Sequence, residues 1–181
     1  MRAFIAVSCP PEVKAQLAQA AERLKPMGDL KVVGEENMHL TLRFLGEVEE
    51  NKVEELISAL STVKKQGGFV VCVKGLSAFP GPGSPRVLWA GTGKGDKELR
   101  ELHEAIDGVI GPLGFGRDEH FSSHYTIARV KYLKEKTGLR QILDEYKEKV
   151  FGCFLVDSFC LMKSELHRIG PVYTVVREFR L

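Results

Sequence analysis

The sequence predicts an α+β protein on antiparallel sheet, with two lobes sharing one domain over residues 1–181. Three observations point there. Strand-like runs come in pairs between single helices, not in the strict alternation of a doubly wound parallel sheet. The second half of the chain repeats the order of elements found in the first, and no linker separates the halves. At 181 residues the chain has the length of one compact domain or two small lobes with a common core.

Residues 3–8 read as a first strand. Pro10 and Pro11 follow where a helix can begin, because the first helical N–H groups lack partners. Val13, Leu17, Ala20, Ala21 and Leu24 then fall on one helical face, and Gly28 closes the segment. Leu30–Val33 is a short strand and Met38–Leu45 a longer one. Strict alternation in the latter puts Leu40, Leu42 and Phe44 on one face and His39, Thr41 and Arg43 on the other. Val53, Leu56, Ile57, Leu60 and Val63 mark a helix before Gly67-Gly68. Phe69–Leu76 is rich in β-branched residues; a loop of breakers over 77–85 leads to a strand at Arg86–Ala90.

In the second half Leu99, Leu102, Ile106, Val109, Ile110 and Leu113 form a helical stripe, and 114–123 is a polar loop. His124–Arg129 reads as a strand, Leu139, Ile142, Leu143 and Tyr146 as a helix, and 151–164 and 172–180 as two long closing strands.

Basic and acidic residues number 26 and 24, so no whole-molecule field draws in a polyanion; a nucleic-acid site has to be a local patch. No apolar run reaches membrane-spanning length, and the start does not read as a secretory signal. Four cysteines without a Cys-x-x-Cys pair read as reduced thiols of a cytoplasmic protein.

The chemistry is concentrated in His39-Leu40-Thr41-Leu42 and His124-Tyr125-Thr126-Ile127. Residues i and i+2 of a strand share a face, so each motif presents an imidazole beside a hydroxyl while its apolar residues enter a core. Cleaving a phosphodiester without metal needs a base for the attacking water and an acid for the departing oxygen, on opposite sides of phosphorus. Imidazoles titrate in the right range for both tasks, and two of them on separate strands satisfy the geometry. Thr41 and Thr126 can donate to the non-bridging oxygens, and Arg129 or Arg43 can neutralise the developing charge. His103, on neither position of the apolar stripe, reads as a surface residue, as do His120 and His167; Phe121 reads as core.

Gly91–Asp96 lacks the ending of a P-loop and reads as a flexible turn. No Gly-x-Ser-x-Gly elbow and no His-x-His or His-Glu-x-x-His spacing occurs, so neither a serine hydrolase nor a metal site is expected.

The paired motifs resemble the 2H phosphoesterase superfamily, and the wider pattern resembles its RNA 2′,3′-cyclic phosphodiesterase branch, also called 2′-5′ RNA ligase. The resemblance runs through Arg2–Ala6, His39–Gly46, Phe79-Pro80 with Pro85–Trp89, Phe121–Arg129 and Ser164–Leu166 with Gly170–Tyr173. The chain departs from it at Ser123 and Tyr125, where the family often has proline and leucine. The resemblance implies an internally duplicated, two-lobed fold, with antiparallel sheets lining a central cleft and helices packed outside. It implies cofactor-free opening of a terminal 2′,3′-cyclic phosphate to a 2′-phosphate on RNA, with His39 as acid, His124 as base and Thr41, Thr126 and Arg129 on the phosphate. Attack by a 5′-hydroxyl instead of water gives a 2′-5′ linkage. The protein is expected to act as a monomer away from membranes. Two other readings stay open: an RNA-end binder without activity, and a phosphodiesterase of a small cyclic nucleotide.

Overall fold

The computed structural model describes residues 1–63, 67–168 and 170–181. The strands are β1 (Arg2–Ser8), β2 (Gly28–Val32), β3 (His39–Glu47), β4 (Phe69–Phe79), β5 (Val87–Thr92), β6 (His124–Leu133), β7 (Val150–Val156), β8 (Ser158–His167) and β9 (Gly170–Arg180). The helices are α1 (Pro11–Leu24), α2 (Val53–Leu60), α3 (Asp96–Ile110) and α4 (Lys136–Glu145). Each helix buries the stripe its periodicity marks: Val13, Leu17, Ala20, Ala21 and Leu24 of α1 and Leu99, Leu102, Ile106 and Ile110 of α3 all enter one core cluster. None of the helices is long and apolar enough to cross a membrane, among the described residues.

All strands join one antiparallel sheet in the order β7-β4-β5-β6-β3-β1-β8-β9, with β2 alongside β6. Strands β3 and β6 meet at its centre through a single register pair, Leu40 opposite Tyr125, both fully buried. Outward from this seam the order is β1, β8, β9 on one side and β5, β4, β7 on the other, which is the duplication the repeated element order implies.

Three expectations need correction. The run 151–164 is not one strand: β7 pairs with β4, whereas β8 pairs with β1 and β9, in the opposite half. The chain changes sides at Asp157, which accepts Arg180 Nη1 at 2.5 Å and, through its carbonyl, Leu181 N at 2.9 Å. Both segments carry strand-forming residues, so composition does not mark the break.

Cys72 and Cys153 are not free thiols. They face each other in the β4–β7 register with Cα atoms 4.0 Å apart and form a disulfide; Cys9 and Cys160 are free. Their separation of 81 residues hides the pairing from any search for spaced cysteines.

The turn at 91–96 is built rather than flexible. Gly93 N donates to Cys72 O and Cys72 N to Lys94 O, both at 2.9 Å. Gly95 has φ +91°, and a Cβ there would lie 2.6 Å from Val70 O, so only glycine fits.

Candidate active site

Antiparallel pairing at Leu40 and Tyr125 decides which side chains meet on the other face of the sheet. One step from that pair, His39 lies across from Thr126 and Thr41 across from His124. The two imidazoles therefore stand diagonally in a quad of two histidines and two threonines, with backbones about 7–8 Å apart on an ideal ladder. Because β3 and β6 pair only at that point, they part on either side, and the quad opens into a cleft of about 640 Å³ lined by His39, Thr41, His124, Thr126 and Arg129 among others.

Beyond each threonine the ladder is bulged at the same place. Thr41 and Arg43 pair with Ala6 and Ile5, leaving Leu42 extra; Thr126 and Ala128 pair with Trp89 and Leu88, leaving Ile127 extra. An extra residue reverses the alternation beyond it. Phe44 and Arg129 thereby enter the cleft, while Arg43 and Ala128 turn to the helix side.

Arg43 is thus not on the polar face that strict alternation assigns it. Its Nε lies 2.7 Å from Asp107 Oδ1 and its Nη2 donates to Gly116 O, with the side chain only 13% exposed. Phe44, expected in the core, is 67% exposed on the cleft side.

The histidines are held alike. His39 Nδ1 lies 2.7 Å from Asn37 O, and His124 Nδ1 lies 2.7 Å from Ser122 O. A carbonyl oxygen only accepts, so Nδ1 carries the proton and each neutral ring keeps Nε2 as its free, basic nitrogen. Aromatic rings flank both: Phe4 and Tyr173 at 4.7 and 5.1 Å from His39, Phe79 and Trp89 at 5.2 and 5.9 Å from His124. Burial pushes His39 down to about 4; the Asn37 carbonyl works against this, and the charges of Lys14 and His124 add to it. Burial also lowers His124, opposed by the Ser122 carbonyl and assisted by the Arg129 guanidinium.

A polar network supports the quad from behind. His103, read from sequence as a surface residue, is buried; its Nδ1 donates to the carbonyl of the bulge residue Leu42 at 2.8 Å, and its ring stacks on Phe121 at 4.3 Å. Asp107 accepts Asp118 N at 2.8 Å and so ties down the loop before His124. At the end of that loop the Ser123 hydroxyl donates to Asp96 Oδ1 and lies 2.6 Å from Thr92 Oγ1. These contacts fix Ser123, the residue just before His124. His120 and His167 are exposed, and Phe121 packs partly against the core, as read. Among the described residues no three His, Cys, Asp or Glu side chains are grouped to hold a cation.

Sequence reasoning missed Phe44, Tyr173 and Lys31, all of which line the cleft. Tyr173 arrives on a strand from the far end of the chain, and Phe44 depends on a bulge; neither leaves a local signal.

Comparison with known proteins identifies the family. The chain matches the family described as LigT like Phosphoesterase over residues 7–89 and 92–173. It is 34% identical to the RNA 2′,3′-cyclic phosphodiesterase of Methanocaldococcus jannaschii, over 99% of this chain and 100% of that protein. It is 37% identical to the protein of the same name from Archaeoglobus fulgidus, over 99% of each. Among solved structures, TT0787 of Thermus thermophilus superposes with a TM-score of 0.84 at 31% identity, covering 100% of this chain and 98% of that one. E. coli LigT complexed with 3′-AMP shares the fold with a TM-score of 0.80 at 23% identity, covering 99% and 97% of the two chains. With both histidine–threonine pairs on one cleft and a family match that takes in both halves, this chain belongs to the LigT-like phosphoesterases of the 2H superfamily.

Proposed function

We propose that the chain, as one two-lobed catalytic unit over residues 1–181, hydrolyses the 2′,3′-cyclic phosphate at the end of an RNA to a 2′-phosphate without a metal ion. The observation that carries this is the pair of imidazoles with Nδ1 tied to backbone and Nε2 free, set on adjacent strands in one cleft with a threonine beside each. The names of the relatives supply the substrate class.

In this reading His124 Nε2 takes a proton from water as its oxygen attacks phosphorus. His39, protonated, gives its proton to the 3′ oxygen as the P–O3′ bond breaks, leaving the phosphate on O2′. Thr41 and Thr126 donate to the non-bridging oxygens, and Arg129 answers their charge. Arg43 takes no part, since Asp107 holds it on the other side of the sheet. His39 is neutral in the empty cleft, and an arriving phosphate monoanion favours its protonated form, so substrate binding arms the acid. Replacing water by a 5′-hydroxyl runs the same site as a 2′-5′ ligase.

All the side chains invoked come from one chain, which supports a working monomer; an RNA substrate supports a cytoplasmic location. The test is incubation of a short RNA ending in 2′,3′-cyclic phosphate in EDTA. A 2′-phosphate product, reduced at least about 100-fold in His39→Ala and His124→Ala, is the expected result. A requirement for divalent metal, or full activity in either variant, overturns it.

A further inference from the structure

Arg129 does not stand alone on its strand. Lys31 of β2 is its direct register partner, and both line the same side of the cleft. Like charges placed opposite each other on antiparallel strands repel. No carboxylate answers either one among the described residues, whereas the neighbouring Lys131 has Asp29 at 3.8 Å. The face continues past this pair. The β2–β6 ladder is bulged at Lys131, since Asp29 and Leu30 pair with Tyr132 and Val130; Val130 and Leu133 pack against the core, and Tyr132, three residues on from Arg129, returns to its face. Tyr132 is 67% exposed. With the two bulge residues Ile127 and Lys131 discounted, the strand rises about 13 Å from Thr126 to Tyr132, beyond the reach of the reacting phosphate alone.

We propose that the β2–β6 ribbon is the track on which the RNA strand enters the cleft, with Lys31 on the backbone phosphate preceding the reacting one and Tyr132 under a base farther back. This rests on the cyclic phosphodiesterase reading and adds to it a polynucleotide preference. A pair of cations followed along the strand by an exposed aromatic ring, whose register partner Asp29 has Lys131 as its counter-charge, offers what a single strand requires: charge for the backbone and a flat apolar surface for any base. A mononucleotide has one phosphate, which the quad and Arg129 take up, and so it brings no second phosphate for Lys31 and no second base for Tyr132. The repulsion between Lys31 and Arg129 is relieved when two consecutive phosphates lie over them, so the empty ribbon is poised for a polyanion.

The experiment compares a pentanucleotide ending in 2′,3′-cyclic phosphate with cytidine 2′,3′-cyclic phosphate, in the wild type, Lys31→Gln and Tyr132→Ala. The wild type is expected to favour the pentanucleotide in kcat/KM by about ten-fold or more. Each variant is expected to lose most of that advantage through KM, and Tyr132→Ala, which lies outside the cleft lining, to leave mononucleotide turnover unchanged within about twofold. Lys31→Gln also lowers the salt dependence of pentanucleotide binding by about one counterion. Equal use of both substrates by the wild type overturns the track, as does a loss in the variants that is the same for both. If neither substrate is turned over, the phosphodiesterase reading is what fails. Fluorescence anisotropy of the labelled pentanucleotide then decides the track, and equal affinity in all three proteins overturns it.

Discussion

Phe44 and Arg129 hold equivalent places in the two halves, each five residues after a motif histidine and each turned into the cleft by a bulge at the motif's fourth residue. One half thus offers the substrate an aromatic ring where the other offers a cation. The bulge also separates the two candidate arginines, since Arg43 precedes Phe44 and faces away while Arg129 faces in. Arg129→Ala is expected to lower kcat/KM by about 100-fold with little change in stability. Arg43→Ala is expected to leave a buried carboxylate at Asp107 and to cost about 3 kcal/mol of stability, with activity per folded molecule largely retained. Urea unfolding beside steady-state kinetics separates the two effects.

The pH dependence of kcat/KM follows from the histidines of the empty cleft. One has to be protonated and the other neutral, and both are held below the usual value of 6.5, His39 at about 4. A bell with its maximum on the acid side of 6.5 is expected, because this ratio reports the free enzyme. Bound phosphate raises both groups, so the bell for kcat sits at higher pH. Removing the Arg129 charge lifts His124, so Arg129→Ala moves one limb of the kcat/KM profile upward. A kcat/KM that climbs to a plateau above pH 7 contradicts the assignment.

The same burial makes the fold acid-sensitive. His39 binds its proton at about 4 when folded and near 6.5 when unfolded, so between those values the unfolded chain holds more protons. Stability is therefore unaffected by this group above about 6.5 and declines as pH falls through the window toward 4, by up to about 3 kcal/mol. His39→Gln is expected to flatten that decline, seen as a smaller difference in urea midpoint between pH 7.5 and pH 4.5.

Cys72–Cys153 joins β4 to the edge strand β7 and closes a long loop. Reduction, or Cys72→Ser, is expected to cost about 2–4 kcal/mol by releasing the unfolded chain. The bond lies two strands from β6, so kcat/KM at 25 °C is expected to be unchanged. Thermal unfolding with and without a thiol reductant, beside the same activity assay, checks both statements.

Much of this was legible in the residues. Periodicity marked every helix, and the histidine–threonine spacing marked the quad, because two-residue alternation holds for the three residues from His39 to Thr41 and from His124 to Thr126. It fails one residue later. A bulge is an extra residue with no compositional mark, so plain alternation puts Arg43 in the cleft and Phe44 in the core, the reverse of what the structure shows. His103 was misread because its acceptor, Leu42 O, is a carbonyl exposed by that same bulge. The division at Asp157 and the pairing of Cys72 with Cys153 depend on which strands become neighbours, and that is settled by the sheet as a whole.

The single pair Leu40–Tyr125 acts as a ruler. The separation of the two imidazoles is measured across one rung between adjacent residues, not accumulated through loops or outer strands. Errors introduced at the margins of the molecule do not propagate to the two imidazoles. The outer strands, the β2 ribbon and the β8–β9 hairpin can therefore shift without altering how the two histidines face each other.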